Sequence, residues 1–426
     1  MDNATLIAKR NLRLGVGAPL FYQQPLQIVK GRGVELEDEQ GNVYIDLYNN
    51  VPCVGHAHPY VVDAQYRQAG TLNVHSRYLH EDIVRLADRL CALHDANIES
   101  VVFACSGTEA NEVAMTMARI ATGGQGFICS NKAYHGNSHF VRQLTHVPTT
   151  QTHNANVRSI PFPESFRPLE APNQAYTDGM PGQAYLAKLD AAIADFQQRG
   201  VPLAALLVCS IFANEGLPDI PEGFMQEAAK RVHAAGGLVI ADEVQAGYCR
   251  TGTWWGYDAS EFKPDIVVTG KPMGNGLPLS ACAASQDLVN QYRERTRYFN
   301  TFASSPLQAA AGNAVLDVIE NEGLESHVAD LGAYLKQALV GLMDNHPQFA
   351  DVRGQGLFLA LEWVKDKQDD RSPDAQGAVE VVNQLKDKGF LTSNAGAYSN
   401  VIKIRPPLVL QKEQADRFLT AFAECL

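Results

Sequence analysis

Apolar residues run unbroken through several short stretches of this chain and recur at helical spacing in the longer stretches between them. Residues 101–104 (VVFA), 127–129 (FIC), 204–209 (AALLVC), 238–241 (LVIA) and 266–269 (IVVT) are continuous apolar runs. Runs this short read as strands buried on both faces. Residues 82–93 set Ile83, Leu86, Leu90 and Leu93 on one face; residues 109–121 repeat Val113, Met117 and Ile120; residues 224–235 are a third helical stretch. Strand–helix alternation with unbroken apolar strands predicts an α/β fold: a mostly parallel sheet covered on both faces, with right-handed crossovers.

The ends of the chain read differently. Residues 1–20 predict a helix and loop across the surface. Residues 34–36 and 43–47 flank the acidic turn DEQGN at 38–42, a hairpin signal. Residues 145–182 are rich in Thr, Asn, Pro and Asp and read as a long irregular insert. A helix over 309–320 should link two domains. Beyond it, 353–363 and 401–404 read as strands and 377–388 and 412–424 as helices, a small α+β domain. The expected division is an N-terminal segment (1–45) that packs on the C-terminal domain, a large domain (46–300) and a small one (301–426).

Composition narrows the class. A chain of 426 residues suits a large domain plus a smaller one. Net charge is −12 with both signs interspersed, which argues against nucleic acid or an anionic membrane as partner. No apolar run reaches membrane-span length, and MDNATLIAKRNLRLG carries no apolar signal core. The eight cysteines are scattered without a CxxC pair, which fits a reduced, cytoplasmic chain with no disulfide framework and no zinc site. His56 and His58 are two apart, but no third ligand accompanies them. Structural hydrogen bonds are the favoured reading of that pair, and no metal is expected.

Candidate chemistry centres on DIVVTGKPMGNGLPLSA at 265–281. Lys271 follows a buried strand at the carboxyl edge of a parallel sheet, the usual place for a ligand. Gly274, Asn275 and Gly276 permit the turns that surround it. Such a lysine is either a salt-bridge partner or a Schiff-base amine. The acidic pair in ADEVQAGYCRTG decides between them. Asp242 ends another apolar strand, 29 positions before Lys271. A carboxylate to hold a ring nitrogen protonated and an amine to carry an aldehyde are what pyridoxal 5'-phosphate requires. Upstream, Ser106-Gly107-Thr108 turns a strand into a helix. It is either a plain N-cap or a phosphate site at the helix N-terminus; beside Asp242 and Lys271 the phosphate reading prevails.

These stretches, with Ser106–Glu112 (SGTEANE), resemble the class III (ω-)aminotransferases of fold type I, over nearly the whole chain from about Phe21 onward. The resemblance implies that Lys271 and Asp242 are catalytic and that Lys271 shuttles the proton. It implies that Ser106, Gly107 and Thr108 hold the phosphate, and that Tyr134 and Val244 face the two sides of the ring. His135 adjoins the stacking aromatic, and Gln245 is placed to bond the ring's phenolic oxygen. Thr301 resembles the threonine that reaches the phosphate from a neighbouring subunit. It therefore implies a homodimer with shared active sites, or a tetramer built from such dimers.

The substrate side departs from the glutamate-using members. Their Glu–Pro after the 204–209 strand is Cys209-Ser210 here, and their C-terminal arginine falls on Lys403 in NVIKIRPPLVL. Lysine cannot form the planar bidentate grip on carboxylate, and its flexible stem would let it swing toward solvent. Arg405, on the same face two residues on, either takes over or pairs with acidic surface groups. Phe21-Tyr22, Tyr48-Asn49-Asn50-Val51 and Ser76-Arg77-Tyr78 resemble a branch that includes phosphoethanolamine-type phospholyases. Tyr22, Asn50, Arg77, Cys209, Lys403 and Arg405 are therefore the candidate substrate contacts. Arg77, Lys403 and Arg405 suit a phosphate or a carboxylate. The favoured expectation is amine transfer from an ω-amino acid or primary amine to a small 2-oxo acid such as pyruvate. The alternative is elimination of phosphate and ammonia. A non-catalytic binding protein on the same fold is the remaining reading.

Overall fold

A computed structural model of the chain describes residues 1–146, 154–169, 182–368 and 370–426. An N-terminal helix, Asn3–Leu14, capped by Asp2, precedes three antiparallel strands: β1 (Ile28–Arg32), β2 (Glu35–Asp38) and β3 (Val43–Asp46). The β2–β3 turn is tied by Asp38, which accepts from the backbone N–H groups of Gln40 and Asn42, so the acidic hairpin forms as its sequence predicts.

The central sheet has seven strands: β4 (Ser100–Ala104), β5 (Gly126–Ser130), β6 (Val157–Ile160), β7 (Leu203–Cys209), β8 (Leu238–Asp242), β9 (Ile266–Thr269) and β10 (Ser280–Ala284). Their order is β4-β10-β9-β8-β7-β5-β6. β10 runs antiparallel to both neighbours; the other pairings are parallel. Every residue of β5, β7, β9 and β10 is buried, as expected where helices cover both faces. β6 corrects the reading of 145–182 as irregular throughout, although 147–153 and 170–181 lie outside the described residues.

The small domain pairs β11 (Phe349–Gln355), β12 (Phe358–Asp366), β15 (Ser393–Ala395) and β16 (Val401–Ile404) in the order β11-β12-β16-β15. β13 (Asp370–Pro373) lies on the far side of β12, and β14 (Phe390–Leu391) joins β3. That last pairing makes the N-terminal hairpin part of the small domain's structure. Residues 353–363 are not one strand. The chain reverses at Gly356 (φ +56°), where a side chain would collide with the backbone of Arg250 and Thr251. The helix Pro306–Asn321 opens with a Ser305–Gln308 capping box and lies against the helices Pro59–Ala69 and Glu81–Ala92.

Candidate active site

The parallel strands deliver their carboxyl ends to one edge, and the residues just past those ends line a cavity of about 340 Å3. Gly107 and Thr108 come from the β4 end, Tyr134 and His135 from the β5 loop, Cys209 and Asn214 from β7, Asp242, Val244 and Gln245 from β8, and Lys271 from β9. A second cavity, about 320 Å3 and lined by Asp219, Glu222, Glu261 and Lys336, touches none of these groups.

The acidic pair is split by strand alternation. Asp242 faces the cavity; Glu243 turns away and accepts from Ser210 Oγ and from the N–H groups of Gly256 (2.7 Å) and Tyr257 (3.0 Å). Burial pushes the Glu243 carboxyl up to about 7. Asp242 accepts from Asn111 Nδ2 (3.0 Å), His135 Nδ1 (2.7 Å) and the N–H of Val244 (3.1 Å). All three bonds are donated to its carboxyl oxygens.

At the other end, Ser106 caps the 16-residue helix Gly107–Thr122 by accepting from the N–H of Glu109. The N–H groups of Gly107 and Thr108 donate to no described residue and front the cavity. They carry the positive end of the helix dipole. A methyl group at 107 would lie 2.9 Å from Val244 Cγ2, and one at 136 would strike Thr108. Both glycines keep this corner open.

Lys271 reaches the same space with no hydrogen bond or ion pair to a described residue. Burial, and then the charge of Arg405, hold its amine below the ordinary range; Asp242 and Cys209 oppose them. A free, depressed amine, a three-donor aspartate and an open helix N-terminus are the fittings that pyridoxal phosphate needs, so the residues present suit that group. Lys271 would carry the aldehyde, Asp242 the ring nitrogen, and Gly107 and Thr108 the phosphate.

Lys403 and Arg405 lie one layer behind the wall. Lys403 does not swing to solvent: it is 3% exposed, and Nζ donates to the Ala213 carbonyl at 2.7 Å. Burial and the charge of Arg405 bring its ammonium down to about 7. Arg405 does not pair with acidic surface groups. It is buried, donates to the Tyr48 carbonyl (3.0 Å) and Gln245 Oε1, and lies over the Tyr48 ring. Both cations face the Phe358 ring, so they share a side as their spacing predicts. Gln245 is held at both ends, by Arg405 and by Asn214 Oδ1 (3.1 Å). Asn50 is buried behind it, bonding the Gln245 carbonyl and Arg250 Nε.

Tyr22, Arg77 and Thr301 do not line the cavity. The Tyr22 hydroxyl donates to the Thr392 carbonyl at 3.0 Å. Arg77 is exposed and stacks on Phe299, two residues before exposed Thr301. His56 bonds Asp46 and His58 bonds Glu322. Among the described residues no cluster of three metal-ligating side chains occurs. Sequence reasoning passed over Cys105, Asn214 and Glu215, and it quoted Val51 and Asn111 within motifs without giving either a role. Asn111 carried a signal, a polar residue among alanines on the inner face of a helix; the others carried none.

Fold and site together define a pyridoxal phosphate-dependent enzyme of fold type I. The family described as aminotransferase class-III matches residues 19–426. The chain belongs to that family. It is 36% identical over 434 residues to an alanine–glyoxylate aminotransferase 2-like protein of Drosophila melanogaster, covering 100% of this chain and 87% of the relative. It is 30% identical to ethanolamine-phosphate phospho-lyase homolog 1 of Caenorhabditis elegans, covering 99% and 93%. Among solved structures, a phospholyase from Arthrobacter in complex with phosphoethanolamine superposes with a TM-score of 0.92 at 38% identity, covering 99% of both chains.

Proposed function

We propose that the protein eliminates phosphate from a small phosphorylated primary amine, phosphoethanolamine or a close analogue. The observation that carries this reading is a set of buried cations without carboxylate partners. Arg250, Lys403 and Arg405 are each at most 6% exposed, and Lys271 reaches the cavity beside them. Among the described residues none forms an ion pair, and Arg250 Nη2 has no hydrogen-bond partner. Burying unpaired charge of one sign is costly, so the pocket is built for an anion beyond the cofactor's own phosphate. Lys403, a point charge, and Arg405, whose fork is half engaged, suit a phosphate dianion better than a planar carboxylate.

Pyridoxal phosphate, when bound, supplies the electron sink for the amine-bearing carbon. Lys271, whose amine burial holds below the ordinary range, takes the proton from that carbon. Lys403 and Arg405, one layer behind the cavity wall, lend positive charge to the side on which the phosphate leaves the neighbouring carbon. With one water taken up, the products are inorganic phosphate, ammonia and the aldehyde. This order of preference reverses the sequence expectation. Amine transfer to a small 2-oxo acid such as pyruvate stays as the second reading, favoured by the likeness to the Drosophila protein. We further propose a homodimer. Thr301 and Arg77, both expected at the site, are exposed and away from the chain's own cavity, where a second copy would bring them into use.

One experiment separates the reactions. Phosphoethanolamine is expected to release stoichiometric phosphate without a 2-oxo acid, and Lys271→Ala to abolish release. Release only when pyruvate is added, with alanine formed, would sink the elimination reading.

A further inference from the structure

Two buried polar atoms beside the cofactor aspartate have no partner: His135 Nε2 and Glu215 Oε2. β5 and β7 are parallel neighbours, so the loops leaving their ends run side by side. Ser130 ends β5 and His135 follows in its loop; Glu215 lies six residues past Cys209 at the end of β7. His135 is 3% and Glu215 4% exposed.

The hydrogen bonds decide where charge and proton reside. Asp242 accepts three donors; among the described residues Glu215 accepts one side-chain donor, Ser130 Oγ, through Oε1, and its own backbone N–H. Negative charge therefore favours Asp242, and the proton favours Glu215. His135 must then turn a hydrogen from Nδ1 to Asp242, which leaves Nε2 a bare acceptor. One proton placed between Glu215 Oε2 and His135 Nε2 satisfies both orphans at once. No direct bond joins them, although the charge of His135 acts on Glu215, so a bridge between them needs one intervening water.

We propose that Glu215 is a positioning residue: it shares a proton with His135 Nε2 and so fixes the imidazole tautomer whose Nδ1–H holds Asp242 for the cofactor's ring nitrogen. In one form the proton is on Oε2 and Nε2 accepts. In the other, reached as pH rises, that proton is lost and the Glu215 carboxylate is left, with the Nδ1–H bond to Asp242 unchanged. Burial pushes the Glu215 carboxyl up, while Ser130 and the charges of His135 and Lys403 pull it back. The remaining neighbours are the buried thiols Cys129 and Cys209, and Arg353 of β11, which donates to the Gly216 carbonyl. The inference concerns the cofactor site and holds whichever group the enzyme removes or transfers.

The test is the visible absorbance of cofactor-loaded protein between about pH 5.5 and 9.5. Wild type should show a spectral step. Ser130→Ala removes the side-chain hydrogen bond to the carboxylate form and should move the step to higher pH, by about half to one unit. Glu215→Gln keeps a donor for His135 but cannot ionise. It should lose the step and still bind pyridoxal phosphate within a few-fold of wild type, whereas Glu215→Ala should weaken that Kd about tenfold. A packing role alone would lower the thermal midpoints and leave the step in place. A flat wild-type spectrum, an unchanged step in Glu215→Gln, or a Ser130→Ala step that stays or moves to lower pH overturns the proposal. If Glu215→Gln fails to hold cofactor, the sign of the Ser130→Ala shift decides.

Discussion

Lys403→Met separates what the buried lysine does for the fold from what it does for the substrate. Its ammonium falls from an ordinary 10.5 to about 7, with burial the larger cause and Arg405 the next. At 1.36 kcal/mol per unit, the ceiling on its cost to the charged folded state is roughly 5 kcal/mol. The sign follows from proton linkage. Below about pH 7 the group is charged folded and unfolded, and the cost is fully present. Between about 7 and 10.5 the unfolded chain binds a proton that the folded one lacks, so stability rises with pH. Methionine fills the stem's volume without the charge, but leaves the Ala213 carbonyl unpartnered, a loss of about 1–3 kcal/mol. A net gain of about 2–4 kcal/mol remains at pH 6. With roughly 2.1 cal/mol/K of unfolding entropy per residue, a chain this long shifts by about 1 °C per kcal/mol. Cofactor-free Lys403→Met should melt about 2–4 °C above wild type at pH 6, with the gain gone by pH 9.5. Lys403 lies behind the cavity wall and acts on the phosphate through its charge rather than a direct bond, so kcat/KM for phosphoethanolamine should fall several-fold. A variant that melts lower than wild type at pH 6 would refute the electrostatic argument; unchanged kcat/KM would refute the role in binding.

Two further outcomes follow from the site. Gly107→Ala should weaken pyridoxal phosphate binding by tenfold or more, measured by equilibrium titration, because the new methyl meets Val244 at 2.9 Å in the phosphate corner. Glutamate and 2-oxoglutarate should be poor substrates beside alanine and pyruvate in any residual transfer reaction; Cys209→Glu with Lys403→Arg together should raise 2-oxoglutarate use more than either alone, and additive or null effects in steady-state kinetics would show that the two positions do not form a switch.

The parts of this fold that were legible in sequence are those where burial is carried by large apolar side chains. β7 and β9, LAALLVC and IVVT, could hardly be anything but strands buried on both faces. β10 is equally buried but reads SACAA. It faces the helix Gly107–Thr122, and close approach there selects small residues that give no strand signal. The turn at Gly356 was missed because strand-like residues lie on both sides of RGQG at 353–356, and Gly354 and Gly356 there were not read as a reversal. At the site, Lys271 and Asp242 were legible because each follows a strong strand directly. Asn214 and Glu215 were not, since they lie several residues into a loop whose path is set by packing against the small domain.

The same distinction explains why the lysine at 403 was misjudged. Sequence treats a lysine as free to follow its stem to water, and in most places it is. β16 is the middle strand between β12 and β15, so its inward side chains have no route outward. Lys403 is trapped at 3% exposure, with Phe358 beneath it and Arg405 and Lys271 acting on its charge. A fold selected for stability alone would place an apolar residue there, as replacement of buried charge by packing commonly stabilises. A cation kept at that cost, beside Cys209 and with no ion pair among the described residues, is what the proposed anion from outside would require. The same reasoning predicts a measurable response. Inorganic phosphate should raise the wild-type melting temperature and should do so less in Lys403→Met, and equal shifts in the two proteins would mean that the phosphate binds elsewhere.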